Sequence, residues 1–311
     1  MRESNFKVSV IIPVFNEEGC LKIIANKLLG ILNDYPDFEL LFIDDGSNDN
    51  SLAILKELHS TNKKINFLSF SRNFGHQNAL RAGLMYASGN CIITMDGDMQ
   101  HPPELIPELV RKWNEGFDIV YTIRKDGSRT SILKRVTGWS FYKLMNSLSD
   151  ISFEQGEADF RLLDRRAVME LRRFGENAIF FRGMVKWLGF RQAGIEYTPQ
   201  ERVWGTTRYS GKKMFSLALS GITGFSIKPL RISSLIGVVF ALFSLLYGFY
   251  SLYIKFFTDR SVEGWTSVFF MVTFIGGIQL IILGIIGEYL GNLFIESKKR
   301  PNYIISESSI E

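Results

Sequence analysis

The sequence predicts an α/β domain with a mostly parallel sheet covered by helices, followed by two membrane-spanning helices. Three observations support this fold class. Strand-like β-branched runs alternate with amphipathic segments, polar residues follow four of the predicted strands, and two long uncharged segments lie near the carboxyl end. Repeated strand and helix units build a parallel sheet with helices on both faces.

The first predicted element is a strand at residues 7–15, a β-branched run interrupted at Pro13. Residues 17–32 follow with apolar side chains at helical spacing, which predicts an amphipathic helix. The alternation continues with strands at 38–43, 65–70 and 91–95 and with helices at 49–59 and 77–87. Cys20 and Cys91 fall in such apolar segments, so we expect two buried free thiols rather than a disulfide or metal site, in a reducing compartment.

The apolar residues are concentrated in two segments near the carboxyl end. The chain is 46% hydrophobic and 22% charged, which is too apolar for a disordered chain and high for a soluble enzyme. Residues 232–254 and 264–287 comprise 23 and 24 residues without a charge, and about 20 helical residues suffice to cross a bilayer core. The alternative is a pair of buried core helices, which rarely run this long without one charge.

Basic residues flank the two predicted spans at their outer ends. The connecting loop holds two basic and two acidic residues, so the positive charge is concentrated before the first span and after the second. This bias places both ends, and the domain before them, in the cytoplasm, and residues 1–15 do not resemble a signal peptide. The flanking residues are Lys212, Lys213, Lys228, Arg231, Lys298, Lys299 and Arg300.

These patterns divide the chain into four predicted parts. Residues 1–210 form the cytoplasmic domain, 211–230 an interfacial amphipathic helix, 231–290 a two-helix anchor in an inner or plasma membrane, and 291–311 a cytoplasmic tail. Residues 132–148 also suit an interfacial helix, with packing into the domain core as an equal alternative. Glycines in the spans allow close helix packing, which leaves a homo-oligomer open. The net charge of +4 is too small to indicate a nucleic-acid partner.

Acidic and polar residues follow the predicted strands at the same end. Asp44 and Asp45 come after the second strand, and Asp96, Asp98 and Gln100 come after the fourth. Parallel strands bring their carboxyl ends to one edge of the sheet, where α/β proteins bind ligands. Asp-Asp-Gly-Ser alone is also good turn chemistry. Carboxylates crowded at one edge repel one another, however, unless a cation or ligand is present.

The D-x-D-x-Q pattern at residues 96–100 predicts a divalent metal site. Its carboxylate and amide oxygens suit Mg²⁺ or Mn²⁺. The three histidines are scattered, without the spacing of zinc ligands, and the chain has neither a P-loop nor a dinucleotide-binding glycine motif. These absences make an ATPase or a dinucleotide-dependent dehydrogenase a poor interpretation.

Five strings are similar to motifs of the family 2 inverting glycosyltransferases, which have the GT-A fold: IPVFNEE, IDDGS, SRNFGHQNALRAG, MDGDMQHPPE and ADFRLLDRR. The chain most resembles the branch of dolichyl-phosphate mannose synthases and bacterial polyprenyl-phosphate glucosyltransferases, which carry a two-span carboxyl-terminal anchor. The motifs extend over about residues 7–210, and the anchor extends the resemblance over nearly the whole chain. They are specific for the branch and not for the sugar.

The resemblance implies a donor site at the acidic edge of the sheet. The metal on the donor diphosphate would be held by Asp96, Asp98 and Gln100. The nucleotide pocket would be formed by residues that follow the first two strands, namely Pro13, Phe15, Glu17, Asp44 and Asp45, with the two aspartates on the base or ribose.

The resemblance also implies residues around the reacting groups. Arg124 and Arg135 would meet phosphates, and Arg208 would close over the diphosphate. Asp159 would lie near the acceptor, with a positioning role, a general-base role and an ion pair to Arg161 or Arg165 as alternatives. With Asp98, these four residues make up the expected catalytic set.

The activity that the resemblance implies is metal-dependent transfer of one hexose, glucose from UDP-glucose, to a polyprenyl phosphate such as undecaprenyl phosphate at the cytoplasmic membrane face. Such an acceptor needs no strong base, since its second pKa is near ~6. The Q-x-x-R-W pattern of processive synthases is absent, which favours single transfers. Alternatives are GDP-mannose or another donor with dolichyl phosphate or a different lipid, and a non-catalytic membrane scaffold that binds nucleotide sugar.

Overall fold

The computed structural model of the chain describes residues 5–125, 156–176, 181–198, 226–257 and 264–310, together with positions 143, 146, 147, 154 and 223. Two predicted site residues, Arg135 and Arg208, lie outside these residues. Most of the two candidate interfacial segments, 132–148 and 212–227, also lies outside them.

The described elements alternate between strand and helix through the first part of the chain. Strands and helices are numbered separately in chain order. They are β1 (Lys7–Val14), α1 (Leu21–Leu32), β2 (Asp37–Asp44), α2 (Ser51–Thr61), β3 (Ile65–Phe70), α3 (His76–Tyr86), β4 (Cys91–Thr94), α4 (Ile106–Asn114), β5 (Ile119–Arg124), β6 (Glu157–Asp164), α5 (Arg165–Leu171), α6 (Phe181–Trp187), β7 (Gln192–Tyr197), α7 (Lys228–Phe257), α8 (Trp265–Ser297) and β8 (Ile305–Ser308).

The strands form one sheet in the order β7-β5-β6-β4-β1-β2-β3-β8. The pairs β4–β1, β1–β2, β2–β3 and β5–β7 are parallel, whereas β6 is antiparallel to both of its neighbours and β8 is antiparallel to β3. The predicted class, a mostly parallel sheet flanked by helices, is therefore confirmed. The strand order reverses direction at β1 and β4, the place where ligands of such sheets bind.

Both faces of the sheet are covered, because consecutive side chains of the central strand point to opposite sides. Ile11 and Ile12 in β1 are both fully buried, Ile11 in one apolar cluster and Ile12 in the other. On one face α3 lies so close to β1 that a Cβ on Gly83 would come within 2.2 Å of the Ile11 side chain. The two predicted free thiols, Cys20 and Cys91, are buried and unlinked, as expected.

The two carboxyl-terminal helices differ from the rest because they expose their apolar side chains. Leu246 in α7 is 68% exposed and Leu280 in α8 is 71% exposed. Their apolar stretches, Lys228–Tyr250 and Met271–Ser297, are 23 and 27 residues long and have mean hydropathies of 2.1 and 1.9. Both are long and apolar enough to cross a membrane. Their exposed side chains distinguish them from buried core helices of similar length.

The last residues return to the sheet, which the sequence analysis did not predict. Helix α8 continues to Ser297, and β8 then pairs antiparallel with β3 at the edge of the sheet. Tyr303 stacks on Phe70 with 5.0 Å between ring centroids. The segment predicted as a tail thus contains the end of a helix and an edge strand, which link the second long helix to the α/β domain.

Candidate active site

The carboxyl ends of β1, β2 and β4 bring the predicted donor-site residues to one edge. Val14 at the end of β1 lies opposite Asp44 at the end of β2, and the amide of Asp45 donates to the carbonyl of Val14 at 2.8 Å. On the other side, the amide of Met95 donates to the carbonyl of Ile11 at 3.1 Å. The edge therefore unites the first, second and fourth motifs, as parallel pairing requires.

Hydrogen bonds join the loop after β1 to the residues that follow β2. The amide of Asn16 donates to Ser47 Oγ at 2.9 Å, and the amide of Glu17 donates to Ser51 Oγ at 3.1 Å. Asn16 has φ of +57°, a conformation that Asn adopts more readily than most residues. Phe15, between Asn16 and buried Val14, is half-buried at the same edge. Glu17 therefore lies on a braced rim, whereas Pro13 is buried within β1 just before it.

Asp44 and Asp45 are both buried and use their carboxylates on neighbouring loops. Asp44 accepts from Ser69 Oγ at 2.7 Å and from the amide of Ser47 at 3.0 Å. Asp45 accepts from the amides of Phe74 at 2.6 Å and Gly75 at 2.9 Å. Burial raises the pKa of Asp45 and outweighs these amide bonds, which lower it. The pair thus organises the loops after β2 and β3.

Asp96, Asp98 and Gln100 lie on the loop that follows β4. Asp98 is 7% exposed, and its Oδ1 accepts from the amide of Gln100 at 3.0 Å. Met99 between them has φ of +65°, which turns the chain back sharply. His76 Nε2, from the start of α3, lies 2.8 Å from Asp96 Oδ1. The backbone amide of Asp96 donates to His101 Nδ1 at 3.0 Å.

Neither histidine was predicted as a site residue, although each stands inside one of the five motifs. Burial lowers the pKa of His76, but the carboxylates of Asp96 and then Asp159 outweigh burial and raise the pKa to about 9. Burial raises the pKa of Asp96, but His101 and His76 outweigh it and lower the value to about 2. At neutral pH the loop therefore carries an ionised Asp96 beside a protonated His76.

Asp159 in β6 lies beside the end of β4 and faces Arg182 of α6. Thr94 Oγ1 donates to the Asp159 carbonyl at 2.6 Å, which fixes the strand there. Arg182 donates to both carboxylate oxygens of Asp159, at 2.8 and 3.1 Å. Nη2 of Arg161, a fully buried residue, lies 3.6 Å from Asp159 Oδ1. Arg165, the other partner considered for Asp159, instead donates to the carbonyl of Ala87.

The ion pair determines the charge state of Asp159. Burial raises the pKa of this carboxyl, but Arg182 and then Arg161 outweigh it and hold the pKa well below its usual range. Arg182 was not predicted from the sequence, where it lies outside the five motifs and 23 residues after Asp159. A paired and strongly ionised carboxylate is a poor base and a good positioning group.

Charges of both signs converge near Tyr197, at the end of β7. Burial raises the pKa of Tyr197 to about 12, with Arg124 and Arg182 opposing the increase and Asp96 and Asp98 adding to it. Arg124, the last residue of β5, is exposed and its backbone amide donates to the carbonyl of Gly156 at 2.8 Å. Strands β4 and β5 are both antiparallel to β6, so Arg124 at the end of β5 lies at the same edge of the sheet as the Asp96–Asp98 loop.

The donor set on this loop fits a metal ion that is shared with a ligand, rather than a metal ion enclosed by protein. In the part of the chain that the structure describes, no group of three or more His, Cys, Asp or Glu side chains is arranged to hold a metal ion. Two carboxylates and one amide oxygen are available on the loop. Mg²⁺ is commonly held in this way, by one or two carboxylates together with substrate phosphates and water.

Family models match two separate parts of the chain. Residues 9–172 match glycosyl transferase family 2, and residues 228–293 match the GtrB C-terminal hairpin. The first match defines the class of protein, a glycosyltransferase. The chain belongs to glycosyl transferase family 2 and carries the GtrB-type hairpin at its carboxyl end, which confirms the resemblance seen in the motifs.

Curated relatives match the chain over nearly its whole length. The prophage bactoprenol glucosyl transferase homolog of Escherichia coli K12 is 41% identical over 96% of this chain and 98% of the relative. The bactoprenol glucosyl transferase of Shigella phage SfV is 40% identical with the same two coverages. The uncharacterized glycosyltransferase YkcC of Bacillus subtilis is 41% identical over 98% of this chain and 94% of the relative.

Solved structures resemble the chain more remotely. Mannosyl-3-phosphoglycerate synthase from Rubrobacter xylanophilus is 14% identical and covers 83% of this chain and 78% of its own, with a TM-score of 0.49. The mannosyltransferase PcManGT from Pyrobaculum calidifontis, solved with GDP-Man and Mn²⁺, is 16% identical and covers 70% of this chain and 62% of its own, with a TM-score of 0.46.

Proposed function

We propose that this glycosyltransferase moves one hexose, glucose from UDP-glucose, to a polyprenyl phosphate at the cytoplasmic face of a membrane. The observation that carries the proposal is the likeness to proteins named bactoprenol glucosyl transferase, which covers the catalytic domain and the two apolar helices together. An enzyme that used only soluble acceptors would have no need for an anchor of this kind.

The donor would bind at the edge formed by β1, β2 and β4. Asp96, Asp98 and Gln100 would hold Mg²⁺ or Mn²⁺ against the diphosphate, where a bound ion would offset the charge that the leaving group gains. Pro13, Phe15 and Glu17 would line the nucleotide pocket at the end of β1. Asp44 and Asp45 would act on the base or ribose through the loops that their carboxylates hold.

The acceptor would supply its own nucleophile. A phosphate oxygen of the lipid would attack the anomeric carbon of the hexose, and the bond from that carbon to the diphosphate oxygen would break, so that UDP leaves with the bonding electrons. Lipid phosphate is largely dianionic at neutral pH, so no proton needs to be removed. This suits the ion pair of Asp159, whose carboxylate would position Arg182 rather than accept a proton.

Cations around the acceptor would offset the repulsion between two anionic substrates. The side chain of Arg182 is 27% exposed, whereas the Asp159 side chain that it contacts is only 8% exposed. Arg182 can therefore contribute hydrogen bonds to a phosphate while staying in place. Arg124 lies at the same edge of the sheet as the Asp96–Asp98 loop, and we propose that Arg135 meets a phosphate and that Arg208 closes over the diphosphate.

The two long helices would anchor the domain at the height of the lipid headgroups. A polyprenyl tail stays in the bilayer, so the donor must be delivered at the membrane surface. Residues 1–210 would lie in the cytoplasm, 211–230 at the interface and 231–290 in the bilayer, with the orientation set by the flanking basic residues. The exposed apolar side chains of α7 and α8 support this arrangement, because lipid would cover them.

The full chain, purified in detergent, tests the proposal directly. Incubation with radiolabelled UDP-glucose, undecaprenyl phosphate and Mg²⁺ should give a solvent-extractable lipid with one hexose per molecule by mass spectrometry. Diacylglycerol should not replace the lipid phosphate as acceptor. A product that lengthens with time, or label released only as free glucose, would contradict the proposal.

A donor panel resolves the sugar with the same acceptor. UDP-glucose should exceed GDP-mannose and UDP-N-acetylglucosamine in kcat/KM. A preference for GDP-mannose would leave the proposed acceptor class unchanged and show that the donor is not UDP-glucose. Binding of every donor without transfer would favour a non-catalytic scaffold.

A further inference from the structure

A cavity of about 450 Å³ lies between the loop after β3 and the residues that follow α8. One wall is formed by Arg72, Phe74 and Gly75, and the facing wall includes Lys298 and Arg300. The cavity is separate from the Asp96–Asp98 loop, which contributes none of its lining residues. It brings together two parts of the chain that are more than 200 residues apart in sequence.

The walls of this cavity are positively charged without a compensating carboxylate. Arg72, Lys298 and Arg300 all line it, and no lining residue is acidic. Among the described residues, none of the three forms an ion pair. Two of them instead lie over aromatic rings, Arg72 over Phe74 at 4.1 Å and Lys298 over Phe294 at 4.1 Å. Three like charges facing a shared space favour an anion there.

The cationic wall after α8 is held in place by the sheet. The amide of Ser71 donates to the carbonyl of Ile304 at 2.9 Å, and Tyr303 stacks on Phe70. Strand β8 adds its ladder with β3 and the ion pair between Glu307 and Lys56. Arg300 is therefore presented by a segment fixed at both ends, by α8 and by β8. The cavity is preformed rather than a chance approach of a loose tail.

With α8 in the bilayer, as proposed above, the cavity would lie at the level of the phosphate groups of the membrane lipids. The apolar stretch of α8 ends at Ser297, and Lys298 follows immediately. Ile295, one turn earlier, lines the same cavity and is 57% exposed. The cavity thus has an apolar border on the membrane side and a cationic border beyond it, which matches an acyl chain joined to a phosphate.

We propose that this cavity binds the phosphodiester headgroup of an anionic bilayer lipid between Arg72 and the Lys298–Arg300 segment. The inference rests on the proposed membrane anchoring and adds a second lipid site to it. The bound headgroup would also steady the loop after β3, whose Phe74 and Gly75 amides donate to Asp45 and whose next residue, His76, contacts Asp96.

Binding of phosphatidylglycerol to the full chain in detergent, measured by native mass spectrometry against phosphatidylcholine, tests this proposal. The unmodified chain should retain phosphatidylglycerol in preference. Arg300→Gln should weaken that binding about tenfold, the loss expected for one hydrogen bond to a charged group. Lys299→Gln is the matched control: it removes the same charge one residue away, lies outside the cavity lining, and should bind like the unmodified chain.

Three results would overturn the proposal. Equal losses in Arg300→Gln and Lys299→Gln would show general attraction to basic residues instead of a built site. Competition by millimolar inorganic phosphate as strong as that by phosphatidylglycerol would identify a free-phosphate site. An increase in the Kd for UDP-glucose in Arg300→Gln, equal to its loss of lipid, would assign the cavity to the donor site.

The lipid measurement does not depend on turnover, so it also separates this proposal from the proposed function. A chain that binds phosphatidylglycerol through Arg300 but transfers no hexose would support the lipid-binding cavity and contradict the proposed activity. Hexose transfer with no lipid preference would support the activity and contradict lipid binding in the cavity.

Discussion

Two pairs of aspartates stand at the ends of β2 and β4, the two strands that flank β1, and the protein uses them differently. Asp44 and Asp45 are at most 3% exposed and accept hydrogen bonds from one serine hydroxyl in β3 and from three backbone amides of adjoining loops. Asp96 has a side chain that is 36% exposed and lies beside a protonated histidine. Asp98 closes a turn with Gln100 two residues away.

The difference shows that an acidic pair at a strand end does not by itself indicate a ligand site. Carboxylates whose oxygens already accept from buried groups of the protein act mainly on its loops, whereas a carboxylate with an exposed oxygen can receive a cation. On this basis, Asp44 and Asp45 would shape the donor pocket and Asp96 would hold the metal ion on the diphosphate. Asp98, which is 7% exposed and accepts from the amide of Gln100, stands between the two groups. The predictions below test that division.

The largest effect is expected for Asp98→Ala. Removal of one proposed metal ligand should lower kcat for hexose transfer by about 10²–10³-fold, the usual cost of losing one group that stabilises charge in the transition state. The thermal midpoint of unfolding should change little by comparison. Glu104→Ala, at an exposed acidic residue after the same strand, is the control, and equal activity in the two variants would assign Asp98 to the loops as well.

A smaller effect is expected for Arg182→Gln. Loss of the Asp159 partner should lower kcat/KM for the lipid phosphate by about tenfold to a hundredfold, with the KM for the nucleotide sugar nearly unchanged. Arg182→Lys, which keeps the charge without the fork of two donors, should recover part of the activity. A rise in donor KM alone would place Arg182 on the diphosphate instead.

The double variant Asp159→Asn with Arg182→Gln separates positioning from folding. It removes both charges, so a purely structural ion pair predicts that stability and activity recover together relative to the single variants. Our account predicts that the thermal midpoint recovers while acceptor use does not, because the phosphate has still lost its cation.

Asp45→Asn should act on stability more than on donor binding. Its carboxylate accepts from the amides of Phe74 and Gly75. Asparagine keeps one acceptor oxygen, so one of these amides would face an NH2 group and lose its hydrogen bond, at a cost of about 1–3 kcal/mol. For a domain of this size that is a fall of several degrees in the thermal midpoint. An unchanged midpoint with a raised KM for UDP-glucose would break the comparison, because Asp45 would then contact the nucleotide itself.

The smallest effect is a pH dependence centred on Glu39, far from the acidic edge. Burial raises the pKa of Glu39, but bonds from Ser9, Lys7 and Ser88 outweigh it and lower the value. A lowered pKa adds stability above the unfolded value of about 4.3, and that stability is lost as pH falls through the folded value.

Glu39→Gln should therefore lower the thermal midpoint at pH 7, and the deficit should shrink below about pH 4. Tryptophan fluorescence during heating measures it, with Glu57→Gln in an exposed ion pair as the control. A deficit that is constant with pH would show that the carboxylate charge contributes nothing.

Much of the fold could be predicted because local sequence determines it. The alternation of β-branched and amphipathic segments defined the strands from β1 to β4 and the helices between them, and uncharged length identified the two long helices. Strand β8 was missed because four residues beyond a predicted membrane anchor carry no apolar periodicity. Only pairing with β3 makes them a strand, and such a distant partner cannot be read from local pattern.

The candidate site was predictable where its residues share a motif. Asp96, Asp98 and Gln100 are neighbours in sequence, so spacing alone brought them together. Arg182 was missed because its partner, Asp159, is 23 residues away and on another element. His76 was missed because a single histidine in a helix start has many structural explanations.

Binding of Mn²⁺, followed by the loss of its free electron paramagnetic resonance signal, tests the central claim most directly. The loop offers two carboxylates and one amide oxygen, so tight binding requires a diphosphate. The account predicts that UDP raises the Mn²⁺ affinity of the full chain at least about tenfold beyond a UDP-only control, and that Asp98→Ala abolishes the increase. Equal affinity without UDP, or an increase that persists in Asp98→Ala, would contradict it.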